Sequence, residues 1–200
     1  MIDLGILDYG VGNLFSLKTA FERCGAHVTL HKEISSKDEL DGIILPGVGS
    51  FTTASRKLKS SRQGLLDKLR GGTPILGICL GMQLFFEKSE EGSGKGLTFM
   101  KGDVIKLANS VKVPHMGWDT IQINKDNEFL DNIQDNSWVY FVHSYYPNPI
   151  DEKVRVAETR YGVMFPSVVA EKNLYGTQFH PEKSGKTGSK IIENFLSICR

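Results

Sequence analysis

The pentapeptide Gly77-Ile78-Cys79-Leu80-Gly81 sets one cysteine between two glycines, directly after an apolar run at 75–78. Leu80, Leu84 and Phe85 follow at helical spacing. Strand, sharp turn and helix in that order describe a nucleophile elbow with cysteine in the place of serine. Side chains flanking so tight a turn would clash, and glycine avoids the clash. A sulfur held there stands at a sheet end and close to a helix N-terminus, which favours the thiolate. A buried cysteine at a strand end fits the same five residues without chemistry, so a second group must decide.

A cysteine nucleophile needs a base and a group that orients the base. The histidines are His27, His31, His115, His143 and His180. His27 and His31 flank the second predicted strand and read as surface residues. His180 closes the apolar run 174–179 and is followed by Pro181 and Glu182. In extended backbone residues i and i+2 point the same way, so Glu182 is expected beside His180. A carboxylate there fixes the imidazole tautomer and stabilises the imidazolium. Cys79, His180 and Glu182 form a complete triad if the two strand ends are neighbours. A metal site from Cys79, His143 and His180 is a weaker reading, because no ligands pair at short spacing.

The rest of the chain must supply those strand ends. It has 200 residues, 40% hydrophobic and 24% charged, which suits one soluble domain spanning 1–200 with a sizeable core. A net charge of +1 offers no field for nucleic acid or a membrane surface. Three scattered cysteines, Cys24, Cys79 and Cys199, do not form a disulfide framework and suggest a reducing compartment. No basic leader opens the sequence, and no apolar run approaches the ~18 residues of a membrane span. A cytoplasmic location is expected.

Residues 2–7 read as a buried strand, and Asn13 as the N-cap of a helix over 14–24 that Gly25 ends. Residues 26–30 complete a βαβ unit. The intervening turn, 8–13, has glycines at 10 and 12 but Phe15 where a dinucleotide fingerprint wants its third glycine. A short helix is expected at 35–40 and a strand at 42–45, followed by Pro46-Gly47-Val48-Gly49 and a helix capped by Ser50. Leu65, Leu66 and Leu69 mark another helix, closed by Gly71-Gly72. Residues 87–96 read as a surface loop. From Leu97 the texture turns to strands at 99–107, 118–123, 138–143, 154–161, 163–171 and 174–179, with turns around Asn148-Pro149 and Tyr161-Gly162 and a closing helix through 191–199. The expected fold is α/β: a mixed, mostly parallel central sheet with helices on both faces, plus a small antiparallel sheet. Ligands of open α/β sheets bind at the carboxyl ends of the strands, where the elbow and the Pro46–Gly49 turn would both lie.

The elbow, Phe179-His180-Pro181-Glu182 and Pro46-Gly47-Val48-Gly49 together resemble the class I, triad-type glutamine amidotransferases, a flavodoxin-like family. Asp8-Tyr9-Gly10-Val11-Gly12-Asn13-Leu14, Pro114-His115-Met116-Gly117-Trp118, Phe141-Val142-His143-Ser144-Tyr145-Tyr146 and His180-Pro181-Glu182-Lys183-Ser184 are similar to the glutaminase-subunit branch serving imidazole glycerol phosphate synthases. The resemblance spans nearly the whole chain; Asp119 stands where that branch more often has Asn. It implies a glutaminase without cofactor or metal. Cys79 would attack the glutamine amide, His180 would shuttle the proton, and Glu182 would orient His180. N–H groups of Leu80 and of the Gly47–Val48 loop would form the oxyanion hole. Gly49, Gln83, Glu91, His143, Ser144 and Tyr145 would surround the substrate, Glu91 at its α-amino group.

The resemblance further implies a partner: a cyclase subunit built as a (β/α)8 barrel, paired as a heterodimer and fed with ammonia to make imidazole glycerol phosphate. Asn13, Met116, Trp118 and Lys183 match its interface positions, although Met116 and Trp118 would serve equally as core packing. The Pro46–Gly49 turn is the expected switch, because a peptide flip beside glycine is sterically cheap. Proline at 47 or 48 should then block activation and leave the fold intact. Other readings from the same residues are a glutaminase subunit of a different synthase, a cysteine peptidase on a related fold, and an idle docking protein.

Overall fold

The computed structural model describes residues 1–10 and 12–200; Val11, within the turn 8–13, lies outside the described residues. Strand β1 (Ile2–Leu7) leads to helix α1 (Leu14–Arg23), and β2 (Ala26–His31) returns parallel to β1. The Asn13 side chain caps α1 by accepting the Ser16 N–H at 3.2 Å, and Gly25 ends it at φ +93°. Then come β3 (Gly42–Leu45), α2 (Phe51–Lys57), α3 (Arg62–Arg70), β4 (Ile75–Ile78) and a single helical turn, α4 (Leu80–Gln83). The strand-rich half holds β5 (Lys88–Ser89), β6 (Gly102–Lys106), β7 (His115–Ile123), β8 (Ser137–His143), β9 (Tyr145–Pro149), β10 (Arg155–Tyr161), β11 (Val163–Glu171) and β12 (Leu174–Thr177), and helix α5 (Gly185–Ile198) closes the chain.

Nine strands form one sheet in the order β2-β1-β3-β4-β12-β11-β10-β7-β8. From β2 to β12 neighbours run parallel; from β12 to β8 they run antiparallel. A second sheet pairs β6 antiparallel with β9 and parallel with the two-residue β5. The alternation of β3 and β4 explains why their sequences are apolar throughout. Ile44, Leu76 and Ile78 join one core with Phe21 and Phe195, while Ile43, Leu45 and Ile75 join another with Phe51, Leu65 and Phe85. Both faces are covered, so each isoleucine and leucine of these strands is worth about 1.5–3 kcal/mol of burial.

The register that matters is β4 against β12, with Ile78 opposite Thr177, while β3 flanks β4 on the other side with Leu45 opposite Gly77. The three strands therefore finish together, and the chain leaves them into Pro46, Cys79 and Gln178 at one sheet edge.

Several elements differ from expectation. Residues 35–40 form a turn and not a helix, because the Ser35 N–H is taken by Asp38 Oδ2 at 2.7 Å, a local bond that competes with helix. Residues 87–96 carry β5. Asn148 and Pro149 lie inside β9, where proline is tolerated because β9 is an edge strand. Among the described residues no helix is long and apolar enough to cross a membrane.

Candidate active site

The elbow is built by three interlocked glycines. A Cβ on Gly77 would stand 2.6 Å from the Met82 nitrogen; one on Gly81 would overlap the Leu45 carbonyl; one on Gly47 would overlap Leu80 Cβ and reach within 2.6 Å of the Gly81 nitrogen. The β3 exit loop thus lies directly on the elbow. Proline at 47 would disturb this contact, so the expectation that it leaves the fold intact is corrected; Val48 is 40% exposed. Cys79 itself sits at φ +52°, a left-handed conformation that costs a non-glycine residue about 1–3 kcal/mol. Its N–H is held by the Thr177 carbonyl at 2.6 Å, so β12 fixes the strained residue in place.

From β12 the chain runs through Gln178 to His180, whose N–H donates to the Tyr140 carbonyl at 2.9 Å. Glu182 lies beside His180, but for a different reason from the one expected. Residues Pro181–Lys183 form a 3-10 turn and not extended backbone, and the turn folds the carboxylate back to 2.9 Å from His180 Nδ1. Both side chains are buried. Since the carboxylate accepts, Nδ1 carries the hydrogen, and Nε2 is buried with no hydrogen bond among the described residues. Burial disfavours a charged ring. The pull of the neighbouring Cys79 sulfur, and then the hydrogen bond and charge of Glu182, outweigh it and push His180 up to about 10. Cys79 Sγ meets the Val142 carbonyl at 3.8 Å and receives Gln178 Nε2 at 3.5 Å.

In front of Cys79 lies a cleft of about 270 Å³, smaller than most drug-sized pockets and suited to a single amino acid. Val48, Gly49, Leu80, Gln83, Glu91, His143, Ser144 and Tyr145 all line it, as do the unforeseen Pro114 and Val142. Gln83 is buried, donating to the Tyr145 carbonyl at 2.8 Å and to Gln178 Oε1 at 3.2 Å. Glu91 accepts the Phe51 N–H at 2.7 Å, which makes it the cap of α2; Ser50, expected there, makes no side-chain cap bond. Gln178 was missed, although a lone amide within an apolar run was a visible signal. Tyr9 was missed as well. Its buried hydroxyl donates to the Pro46 carbonyl and pins the loop that carries Val48.

Two further histidines brace the cleft wall. His143 Nδ1 donates to the Tyr145 carbonyl at 3.0 Å, leaving Nε2 to accept from His115 Nδ1 at 3.2 Å. Burial, followed by the neighbouring His115, lowers His143 to about 3, so it is neutral at physiological pH. His115 stacks between Tyr161 and Phe141, with ring centroids at 3.9 and 4.8 Å, and its Nε2 faces Asp119 at 3.3 Å. Cys79, His143 and His180 do not make a metal site: among the described residues no three or more His, Cys, Asp or Glu side chains gather to hold an ion.

Met116 and Trp118, 62% and 53% exposed, are not core residues. Paired with Val142 and Tyr140 across β7 and β8, they share one sheet face. Trp118 meets Tyr140 edge-on at 6.0 Å, and the exposed Lys183 holds its ammonium 5.9 Å from the same ring. Asn13 is exposed too, with its side chain committed to capping α1.

The family model for glutamine amidotransferase class-I matches residues 5–199. The chain is 47% identical over 199 residues to imidazole glycerol phosphate synthase subunit HisH of Methanocaldococcus jannaschii, covering 98% of this chain and 99% of that one. The subunit of the same name from Archaeoglobus fulgidus gives the same identity and coverage, and that of Caldanaerobacter subterraneus is 44% identical over 98% of both chains. Among solved structures, PurLQS from Thermotoga maritima shares the fold with a TM-score of 0.81 at 19% identity, covering 100% of both chains. A structure described as glutamine amidotransferase gives 0.76 at 18% identity over 98% of both chains. The chain belongs to the class-I glutamine amidotransferases, within the family of imidazole glycerol phosphate synthase subunit HisH.

Proposed function

We propose that this chain is a single-domain glutaminase that hydrolyses glutamine to glutamate and ammonia in the cytoplasm and passes the ammonia to a cyclase subunit of imidazole glycerol phosphate synthase. The observation that carries the reading is the β4–β12 register, which sets Cys79 against the His180–Glu182 pair at the mouth of a cleft of amino-acid size.

His180 takes the thiol proton of Cys79 and becomes the imidazolium, in keeping with its raised pKa. The sulfur attacks the side-chain amide carbon of glutamine. The developing oxyanion is met by the N–H of Leu80, unpaired within its helix as the first residue of α4, and by the N–H of Val48. Each such donor is worth about 3–4 kcal/mol in the transition state. The imidazolium gives its Nε2 proton to the departing nitrogen, ammonia leaves, and a γ-glutamyl thioester remains on Cys79. Water then attacks the thioester, His180 takes its proton and returns it to the departing sulfur, and glutamate leaves with Cys79 and His180 as they began. Glu182 holds Nδ1–H throughout, so the working nitrogen is always Nε2. Glu91 takes the α-amino group with the oxygen not spent on Phe51, and the Ser144–Tyr145 backbone takes the α-carboxylate.

Ammonia released into water would be protonated and lost as a nucleophile, so a partner must cover the cleft. The exposed face of Met116, Trp118 and Lys183, with Asn13, is our candidate for the surface that docks a (β/α)8-barrel cyclase. Its aromatic content suits an interface. The test is glutamate release by the chain alone, with the cyclase, and with the cyclase holding its nucleotide ligand. The reading requires release that rises in that order and that stops in Cys79→Ala. Full activity without a partner, or none with it, would overturn it.

A further inference from the structure

Between α2 and the 93–97 segment lies a second cavity, of about 470 Å³, within the usual range for small-molecule sites. Its floor is aliphatic: Leu58, Leu84 and Leu97, all buried. Its rim carries Arg56, Lys59, Arg62 and Lys95, and no lining residue is acidic. That concentration is notable in a chain whose net charge is only +1. Among the described residues none of the four cations forms an ion pair. Arg62 also opens α3, whose N-terminus has neither a side-chain cap nor an acidic residue in its first turn, which adds positive potential. Arg56, Lys59 and Lys95 are exposed, so an anion with an apolar body can take charge-assisted hydrogen bonds from the rim while its apolar part turns to the leucines.

We propose that this cavity is a second ligand site, taking a small phosphorylated heteroaromatic molecule of the nucleoside monophosphate class, with the ring on the leucine floor and the phosphate on the basic rim. Its position gives occupancy a consequence at the glutamine cleft. One wall is α2 and the other is the 93–97 segment, and the two meet in a seam. Ser55 Oγ donates to the Lys95 carbonyl at 2.5 Å, and a Cβ on Gly94 would lie 3.3 Å from Thr52 Cα. The same seam ends at the Phe51 N–H held by Glu91. A ligand bridging Arg56 on α2 and Lys95 on the segment fastens the seam and with it the Glu91 carboxylate, lowering the KM for glutamine with kcat little changed. The site itself is independent of the glutaminase reading; the coupling rests on it.

The test is calorimetric titration of the whole chain with AMP, adenosine and inorganic phosphate, repeated on Cys79→Ala, which separates binding from turnover. AMP should bind saturably and more tightly than either fragment, with an affinity that falls as salt rises. The triple variant Arg56→Ala, Lys59→Ala, Lys95→Ala should weaken AMP by about tenfold or more while melting at the wild-type temperature. A Leu84→Ala variant is avoided because it would leave a hole in the core. Glutamate release by the complete synthase, with and without AMP, then reads the KM. Adenosine binding as well as AMP, no saturable AMP binding, or undiminished binding by the triple variant would overturn the site. Saturable binding with an unchanged KM would overturn the coupling.

Discussion

Replacing Glu182 by Gln should move the alkaline limb of glutaminase activity. Glu182 Oε1 sits 2.9 Å from His180 Nδ1 in a buried pair, so the substitution removes a charge while keeping an oxygen that accepts the same hydrogen. A hydrogen bond to a charged group contributes about 1.5–3 kcal/mol net. At 1.36 kcal/mol per pKa unit, that is about 1–2 units. Cys79 contributes more than Glu182 to holding His180 up at about 10, so the ring should still titrate above its ordinary range in the variant. In the proposed mechanism the imidazolium is the acid that expels ammonia, hence activity is lost as pH rises through this pKa, and the loss should set in about 1–2 units earlier. The assay is kcat/KM for glutamate release between pH 6 and 10, within the complete synthase, with circular dichroism to confirm the fold. Glu182→Ala, which also frees the ring to rotate, should lose far more rate than Glu182→Gln at every pH. A Glu182→Gln profile whose alkaline limb coincides with the wild type would refute the argument that this carboxylate stabilises the imidazolium.

Val48→Pro removes the proposed oxyanion donor and should cut glutamate release by about 10²–10³ at unchanged melting temperature; wild-type rates in the stimulated complex would contradict it. Gly81→Ala drives a methyl group into the Leu45 carbonyl, and it should destabilise the protein by about 1–3 kcal/mol in a urea melt as well as disturb the elbow. His143, held near 3, lies below its unfolded value of about 6.5, so the unfolded chain binds the extra proton and stability is lost as pH falls below 6.5. At pH 5 this amounts to about 2 kcal/mol, which urea melts of wild type against His143→Gln should expose as a steeper loss in the wild type.

The elbow was legible in the sequence because it is local: a strand, a turn that excludes side chains, and a helical start are all encoded within a few residues around Cys79. The proposed triad was legible in composition and less so in geometry. His180 and Glu182 do meet, yet through a 3-10 turn begun by Pro181 and not through extended backbone. That β12 lies next to β4 is a long-range fact about the sheet, which no local pattern encodes. The same holds for Glu91, which crosses to cap α2, and for the His115–His143 pair, whose members come from adjacent strands. Strand β9 was hidden because Asn148-Pro149 has the chemistry of a turn, and only its place at a sheet edge makes it a strand. Met116 and Trp118 could be assigned to a surface only when the pairing of β7 with β8 placed them on the open face.

The central claim is that one sulfur of three is the nucleophile, and the other two supply the control. Burial, followed by the Glu193 charge, raises the Cys24 thiol, and burial, followed by the Asp41 charge, pushes Cys199 up to about 12, so both stay protonated at neutral pH. Treating the protein with an electrophilic glutamine analogue and mapping the adduct by peptide mass spectrometry tests the claim directly. The account predicts one equivalent, on Cys79 alone, prevented by saturating glutamine and strongly slowed in His180→Asn. Label shared with Cys24 or Cys199, or label on Cys79 that glutamine does not prevent, would contradict it.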